Sequence, residues 1–141
     1  MLRQFNRGDT MTPTTNHQII STQHAPAAIG PYSQAVHVGD MVFVSGHIPL
    51  DPATGELVEG DIEAQVERVF DNLEAVARAA DSTLANVIKF TIYLTDMDNF
   101  AIVNKVMERR LDEPYPARAA IGVAALPKGA NVEADAILAL A

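Results

Sequence analysis

The spacing of apolar and polar residues changes several times along the chain, and each change marks an element. Residues 33–38, "SQAVHV", and 41–47, "MVFVSGH", are runs of β-favouring residues separated by Gly39-Asp40, which predicts a hairpin with a two-residue turn. Residues 18–21, "QIIS", add a short first strand, and "IPLDPATGELVEG" reads as a loop punctuated by Pro49, Pro52 and Gly55. From 61 to 80 the period becomes helical. Ile62, Val66, Val69, Phe70, Leu73, Val76, Ala77 and Ala80 fall on one stripe, with Glu63, Glu67, Asp71, Glu74 and Arg78 on the opposite side. This is an amphipathic helix expected to meet a sheet on one side only.

Residues 87–95, "VIKFTIYLT", predict a strand with Ile88, Phe90, Ile92 and Leu94 on one face. Asp98 is then expected to cap a second helix over about 99–111, whose stripe holds Phe100, Val103, Met107 and Leu111. Asn104 falls inside that stripe, a polar group where the core should be. Pro114 and Pro116 end the helix and open a strand carrying Arg118. "LPKGAN" turns into a last strand, 132 to about 140. The order ββ-α-β-α-ββ gives an α+β domain, a mixed β-sheet with two helices packed on one face.

Two helices cover one face of such a sheet, yet several strands are apolar on both. Val42, Val44 and Ile48 oppose Met41 and Phe43, and the run 119–126 has no polar side. A solvated antiparallel face should alternate polar and apolar residues. The uncovered face is therefore expected to meet another subunit, in a homo-oligomer.

Composition narrows the function classes. A chain of 141 residues, 48% hydrophobic, suffices for one domain with a core. Residues 1–16 read as a flexible N-terminal tail and 17–141 as the single domain. With no cysteine, disulfides, thiolate metal sites and a cysteine nucleophile are excluded. A net charge of −8 argues against nucleic acid or an anionic membrane as the main partner. The longest apolar run, residues 119–126, is far below the roughly 20 residues of a membrane span. No apolar stretch of a secretion signal is present, so the expected location is cytoplasmic. His17, His24, His37 and His47 lack metal-ligand spacing, and no phosphate-binding glycine motif occurs, so neither metal nor other cofactor is expected.

Within "YPARAAIGVAAL", Arg118 is the lone charge. It is either half of an internal ion pair or a bidentate clamp for a carboxylate ligand, and the small neighbours Ala117, Ala119, Ala120 and Gly122 leave room for the ligand. Glu133 and Asp135 share a face of the last strand, as ordinary surface carboxylates or with Glu133 moving protons to and from a water. Ser45 and His47 share a strand face at i, i+2, where parallel side chains make a poor nucleophile–base pair. No G-x-S-x-G elbow surrounds Ser45, so it reads as a pocket hydrogen-bonding group. Tyr32, after a Gly-Pro turn, either faces a pocket or caps the core. Asn104 either satisfies a backbone group or points into a site.

The segments "APAAIGPYSQAV", "VFVSGHIPLDPATGEL", "QVERVFDNLEAVARAA", "VIKFTIYLTDMDNFAIVN" and "YPARAAIGVAALPKGANVEADAI" together resemble the RidA/YjgF family of enamine/imine deaminases. The resemblance runs from about Asn16 to Ala139. It implies a chorismate-mutase-like fold, a homotrimer with a site in each cleft between subunits, and hydrolysis of reactive 2-imino acids, from 2-aminoacrylate and 2-aminocrotonate, to 2-keto acids and ammonia. By position it implies that Arg118 grips the substrate carboxylate and that Glu133 positions and activates water. Tyr32, Ser45, Gly46 and Asn104 would line the pocket, with backbone at Ala119 and Ala120 holding the imine nitrogen. Two departures stand out: Ala119-Ala120 replaces a serine-cysteine pair of many members, and the segment from Asn104 to Arg118 is about three residues shorter. Two other readings remain, a non-catalytic trimer that binds metabolites in the same clefts and signals to partners, and a ribonuclease. The acidic charge and the lack of a basic, aromatic-laced face argue against the ribonuclease.

Overall fold

The structure is a computed structural model that describes residues 16–140, so all but the last residue of the predicted tail lies outside the described residues. Six strands and two helices follow the expected order: β1 (His17–Ile20), β2 (Ala35–Val38), β3 (Met41–His47), α1 (Ile62–Ala79), β4 (Val87–Leu94), α2 (Phe100–Arg110), β5 (Ala117–Gly122) and β6 (Val132–Ala139). The sheet order is β1-β2-β3-β6-β4-β5, antiparallel throughout except for the parallel pair β4–β5. Gly39, at φ 56°, and Asp40 close the β2–β3 hairpin, with Val38 opposite Met41. A parallel pair needs a crossover, and α2 supplies it between β4 and β5. The β3-α1-β4 connection likewise spans a parallel pair, leaving a gap that β6 fills from the far end of the chain.

The core lies between α1, α2 and one face of the sheet. Val66, Val69, Phe70, Leu73, Val76 and Ala77 of α1 and Val103, Val106 and Met107 of α2 bury against Val42, Val44, Phe90, Ile92, Leu94, Ala134, Ala136 and Leu138. Phe70 meets Phe90 with ring centroids 5.3 Å apart. Along β6 buried and half-buried residues alternate, which puts Glu133, Asp135, Ile137 and Ala139 on the face without helices. On that face Ile19, Val36, Phe43 and Ile137 are successive cross-strand partners. Ile19 is 58% and Phe43 45% exposed, an apolar row across four strands that no element among the described residues covers.

Two expectations need correction. Ile88 does not share the face of Phe90, Ile92 and Leu94. Val87 and Lys89 pair with the adjacent Leu138 and Ile137, so Ile88 is an extra residue in the ladder, and it is 45% exposed while Val87 takes the buried place. The capping aspartate before α2 is Asp96, which leaves β4 in extended backbone and accepts from the Asp98 amide at 2.9 Å. Asp98 sits inside the resulting 3-10 turn, and α2 begins behind Asn99, whose side chain makes no capping bond. The acidic side of α1 is not left to solvent. Arg110 of α2 reaches Glu67 at 2.8 Å, Asp71 at 2.7 Å and Glu74 at 3.1 Å and lies over the Phe70 ring. Arg109 pairs with Glu63 and Glu67, and Lys105 with Glu63. Burial pushes the Glu67 carboxyl up, but the bonds from Arg109 and Arg110 outweigh it and hold the group below its ordinary value.

Candidate active site

Arg118 stands opposite Phe90 in the β4–β5 register, so it projects from the face that carries the helices. Its Nη1 donates to Oδ1 of Asn104 on α2 at 2.5 Å and lies 3.5 Å from the Met107 sulfur. The guanidinium carbon is 4.9 Å from the centre of the Phe100 ring. Asn104 therefore interrupts the apolar stripe of α2 to orient a guanidinium, a side-chain partner rather than a backbone one. Among the described residues no carboxylate lies within ion-pair distance of Arg118, and the side chain is exposed, which rules out the internal salt bridge within them. The arginine borders a cleft of about 420 Å³ with Asn104, Met107, Glu108, Tyr115 and Pro116. Ala120, in register with buried Ile92, stands beside Arg118 on the same face and offers only its backbone and a methyl group.

Glu133 stands opposite Tyr93, on the other face of the sheet. Its carboxylate lies directly over Gly46. A Cβ built on Gly46 would come to 3.0 Å from Oε2 and 3.1 Å from Cδ, closer than most side-chain carbons approach such atoms. Burial foremost, and then the charge of Asp135, raise the Glu133 carboxyl above its ordinary value. A cleft of about 440 Å³ opens beside it, bordered by Tyr32, Ser45 and Gly46 and walled on the apolar side by Ile29, Ile48 and Leu50. The Tyr32 hydroxyl, at the exposed rim, has no hydrogen-bond partner among the described residues.

The expected common face of Ser45 and His47 is broken by a β-bulge. Val44 and His47, three positions apart, pair with Ala136 and Ala134, only two apart, so His47 returns to the core face. Ser45 instead donates its hydroxyl to the Ser33 carbonyl at 2.5 Å and its amide to the Gln34 carbonyl at 2.9 Å. His47 is 6% exposed, its Nε2 has no partner among the described residues, and burial lowers its pKa to about 4. No serine–histidine couple exists.

Two supporting residues escaped the sequence reading. Buried Gln34 accepts from the Thr22 amide at 2.7 Å and donates to the carbonyls of Thr22 at 3.0 Å and Pro26 at 2.8 Å, fixing the loop that leads to Ile29 and Tyr32. The only hint was an amide within an apolar β run. Lys128, in left-handed backbone at φ 57°, donates to the Gly55 carbonyl at 3.0 Å and ties the loop after β3 to the turn before β6.

The candidate residues thus fall into two groups. Arg118, Asn104 and Ala120 share the helix side of the sheet at its β5 edge. Tyr32, Ser45, Gly46 and Glu133 gather around the far end of β3 and β6, with Glu133 on the opposite face. One chain does not bring the two groups together. Among the described residues no three histidine or acidic side chains form a metal-binding cluster, and no helix is long and apolar enough to cross a membrane.

The family described as endoribonuclease L-PSP matches residues 22–140. A bovine 2-iminobutanoate/2-iminopropanoate deaminase (Bos taurus) is 46% identical over 120 residues, 85% of this chain and 88% of that protein. The crystal structure of RidA from an Antarctic Psychrobacter is similar, with a TM-score of 0.84 and 53% identity, covering 87% of this chain and 99% of that one. Escherichia coli TdcF, solved with bound serine, has a TM-score of 0.82 at 40% identity, covering 88% and 99%. The chain belongs to this family, the RidA/YjgF proteins, and has its chorismate-mutase-like α+β fold.

Proposed function

We propose that this RidA/YjgF member hydrolyses 2-imino acids, such as those formed from 2-aminoacrylate and 2-aminocrotonate, to 2-keto acids and ammonia. The observation that carries this reading is Arg118, a permanent cation held by Asn104 at a cleft edge with no carboxylate partner among the described residues. A guanidinium so prepared suits a substrate carboxylate, each charge-assisted bond contributing roughly 1.5–3 kcal/mol. The curated relatives at about this level of identity include deaminases named for such substrates.

Arg118 and Glu133 occupy opposite faces of one sheet, so a working site needs two copies of the chain. The uncovered apolar row through Phe43 and Ile137 gives those copies a surface to bury, and a homotrimer with a site at each junction is the proposed assembly. Tyr32, Ser45 and Gly46 would line the Glu133 side of each junction.

In the proposed reaction Arg118 fixes the protonated imine by its carboxylate, presenting C2 to a water held by Glu133. As the water oxygen bonds to C2, the C=N π electrons move to nitrogen and Glu133 takes the proton released by the water. Glu133 then returns that proton to nitrogen. The C2–N bond breaks, ammonia leaves with the electron pair, and the hydroxyl proton departs to form the keto acid. A carboxyl lifted above its ordinary value suits this exchange, because acid and base are then closer in strength to the groups they serve.

The test generates 2-aminoacrylate with a serine dehydratase and follows pyruvate release. Faster release in the presence of the protein is expected. No acceleration with any imine offered, 2-aminocrotonate-derived ones included, would sink the reading and leave metabolite binding in the same clefts. Cleavage of RNA is disfavoured by the net charge of −8 and by carboxylates beside both clefts, Glu108 and Glu133.

A further inference from the structure

On the open face of the sheet, one residue beyond the proposed chemistry is aimed at it. Glu133 and Asp135 are alternate residues of β6, so both project from the same face with their Cβ atoms about 7 Å apart. Tyr93 of β4 is the direct cross-strand partner of Glu133, and its phenol reaches diagonally to donate to Oδ2 of Asp135 at 2.9 Å. The three side chains form a triangle in which Tyr93 fixes the Asp135 carboxylate beside Glu133. Without that bond a short carboxylate on an open sheet face would turn toward water.

Resting on the deaminase reading above, we infer that Asp135, anchored by Tyr93, is a positioning residue that acts through Glu133, keeping the Glu133 carboxyl able both to take and to return a proton. Of the titratable and charged groups that this chain places around Glu133, Asp135 is the one that bears on it, and in the proposed assembly the Arg118 of the neighbouring copy adds a cation that wild type and Asp135→Asn share. From β3, His47 is on the core face and is neutral above a pH of about 4. From the turn before β6, Lys128 spends its ammonium on the Gly55 carbonyl. From the loop before β2, Tyr32 places its ring at the rim of the cleft. From β4, Tyr93 is protonated, its phenol raised above its ordinary value chiefly by the hydrogen bond to Asp135, and Lys89 lies level with Ile137, four residues along β6. After burial, the charge of Asp135 is the influence that raises Glu133.

The expected consequence is a definite one. Asp135→Asn removes the negative charge beside Glu133, so the Glu133 midpoint falls. The acid limb of kcat/KM for imine hydrolysis moves down by the same amount, while the plateau drops about two- to threefold because the base is weaker. KM is expected to stay within about twofold, since Asp135 lies outside the cleft that would hold substrate. Asp135→Glu, which restores the charge, returns the limb toward the wild-type position.

The decisive measurement is a carboxyl ¹³C NMR titration of Glu133 in the assembled wild-type protein and in Asp135→Asn, with the pH–rate profile run in parallel. An unchanged Glu133 midpoint overturns the inference, as does a fall in rate with no movement of the limb. If Asp135→Asn does not fold, Tyr93→Phe takes its place. That change leaves the carboxylate but frees it, and a smaller downward shift is expected; none at all overturns the inference. The NMR titration needs no turnover, so a protein inactive toward every imine would defeat the deaminase reading while the titration still decided whether Asp135 tunes Glu133.

Discussion

Gly46 has no side chain, and the Glu133 carboxylate occupies the space one would take. Gly46→Ala sets a methyl carbon about 3 Å from a carboxylate oxygen, so the flexible end of Glu133 must shift by a few tenths of an ångström. Misplacing the proposed base by that much should lower kcat for imine hydrolysis by about tenfold or more. The glycine backbone is not left-handed here, so the thermal midpoint should stay within about 3 °C of wild type. Steady-state kinetics beside a melting curve check both halves, and an unchanged kcat would remove Glu133 from the reaction. At this scale the sequence was legible wherever a residue type was out of place. A lone cation among alanines and an asparagine in an apolar stripe are such cases, and the structure joins them, Arg118 to Asn104. Gln34 was missed because its three partners lie 8 to 12 residues away in a loop without periodicity.

The elements were legible from period alone, and the misreadings all come from single residues added to a ladder or a turn. The bulge in β3 is the most consequential, because it turns His47 into the core instead of leaving it beside Ser45. A histidine buried there is neutral in the folded state and charges readily once unfolded. Its folded pKa of about 4 lies below the ordinary 6.5, so the unfolded chain binds the extra proton first as pH falls. The stability it contributes is complete above a pH of about 6.5, is lost progressively down to about 4, and amounts to about 3 kcal/mol over that window. Urea unfolding at fixed protein concentration should show this decline between pH 7 and 4. His47→Gln, which cannot take up the proton, should flatten it by about that amount, and an identical slope in the two proteins would show that His47 is not the group titrating. The other two misreadings, Ile88 and Asp98, have the same origin. Period analysis assumes an unbroken repeat, and neither an extra residue in β4 nor a 3-10 turn ahead of α2 leaves a mark in hydrophobicity.

At the scale of the whole molecule, the expected α+β order and the one-sided helices were legible, but the position of β6 between β3 and β4 was not. That pairing joins residues about ninety positions apart, and nothing local in the sequence encodes it. It matters for the proposed site because it sets Glu133 two strands away from Arg118 and on the opposite face. If each proposed site takes Arg118 from one subunit and Glu133 from its neighbour, two inactive proteins should repair each other. Arg118→Ala subunits keep Glu133, and Glu133→Gln subunits keep Arg118. In trimers assembled at random from equal amounts of both, a junction is intact when an Arg118-bearing subunit meets a Glu133-bearing one in the correct order. That arrangement occurs at about one junction in four. Co-refolded mixtures should therefore recover about a quarter of wild-type imine hydrolysis, while each variant alone stays near background. Mixing the folded proteins without dissociation should recover none. Mixed assemblies that form, by mass, and still show no activity would overturn a site shared between Arg118 of one subunit and Glu133 of the next.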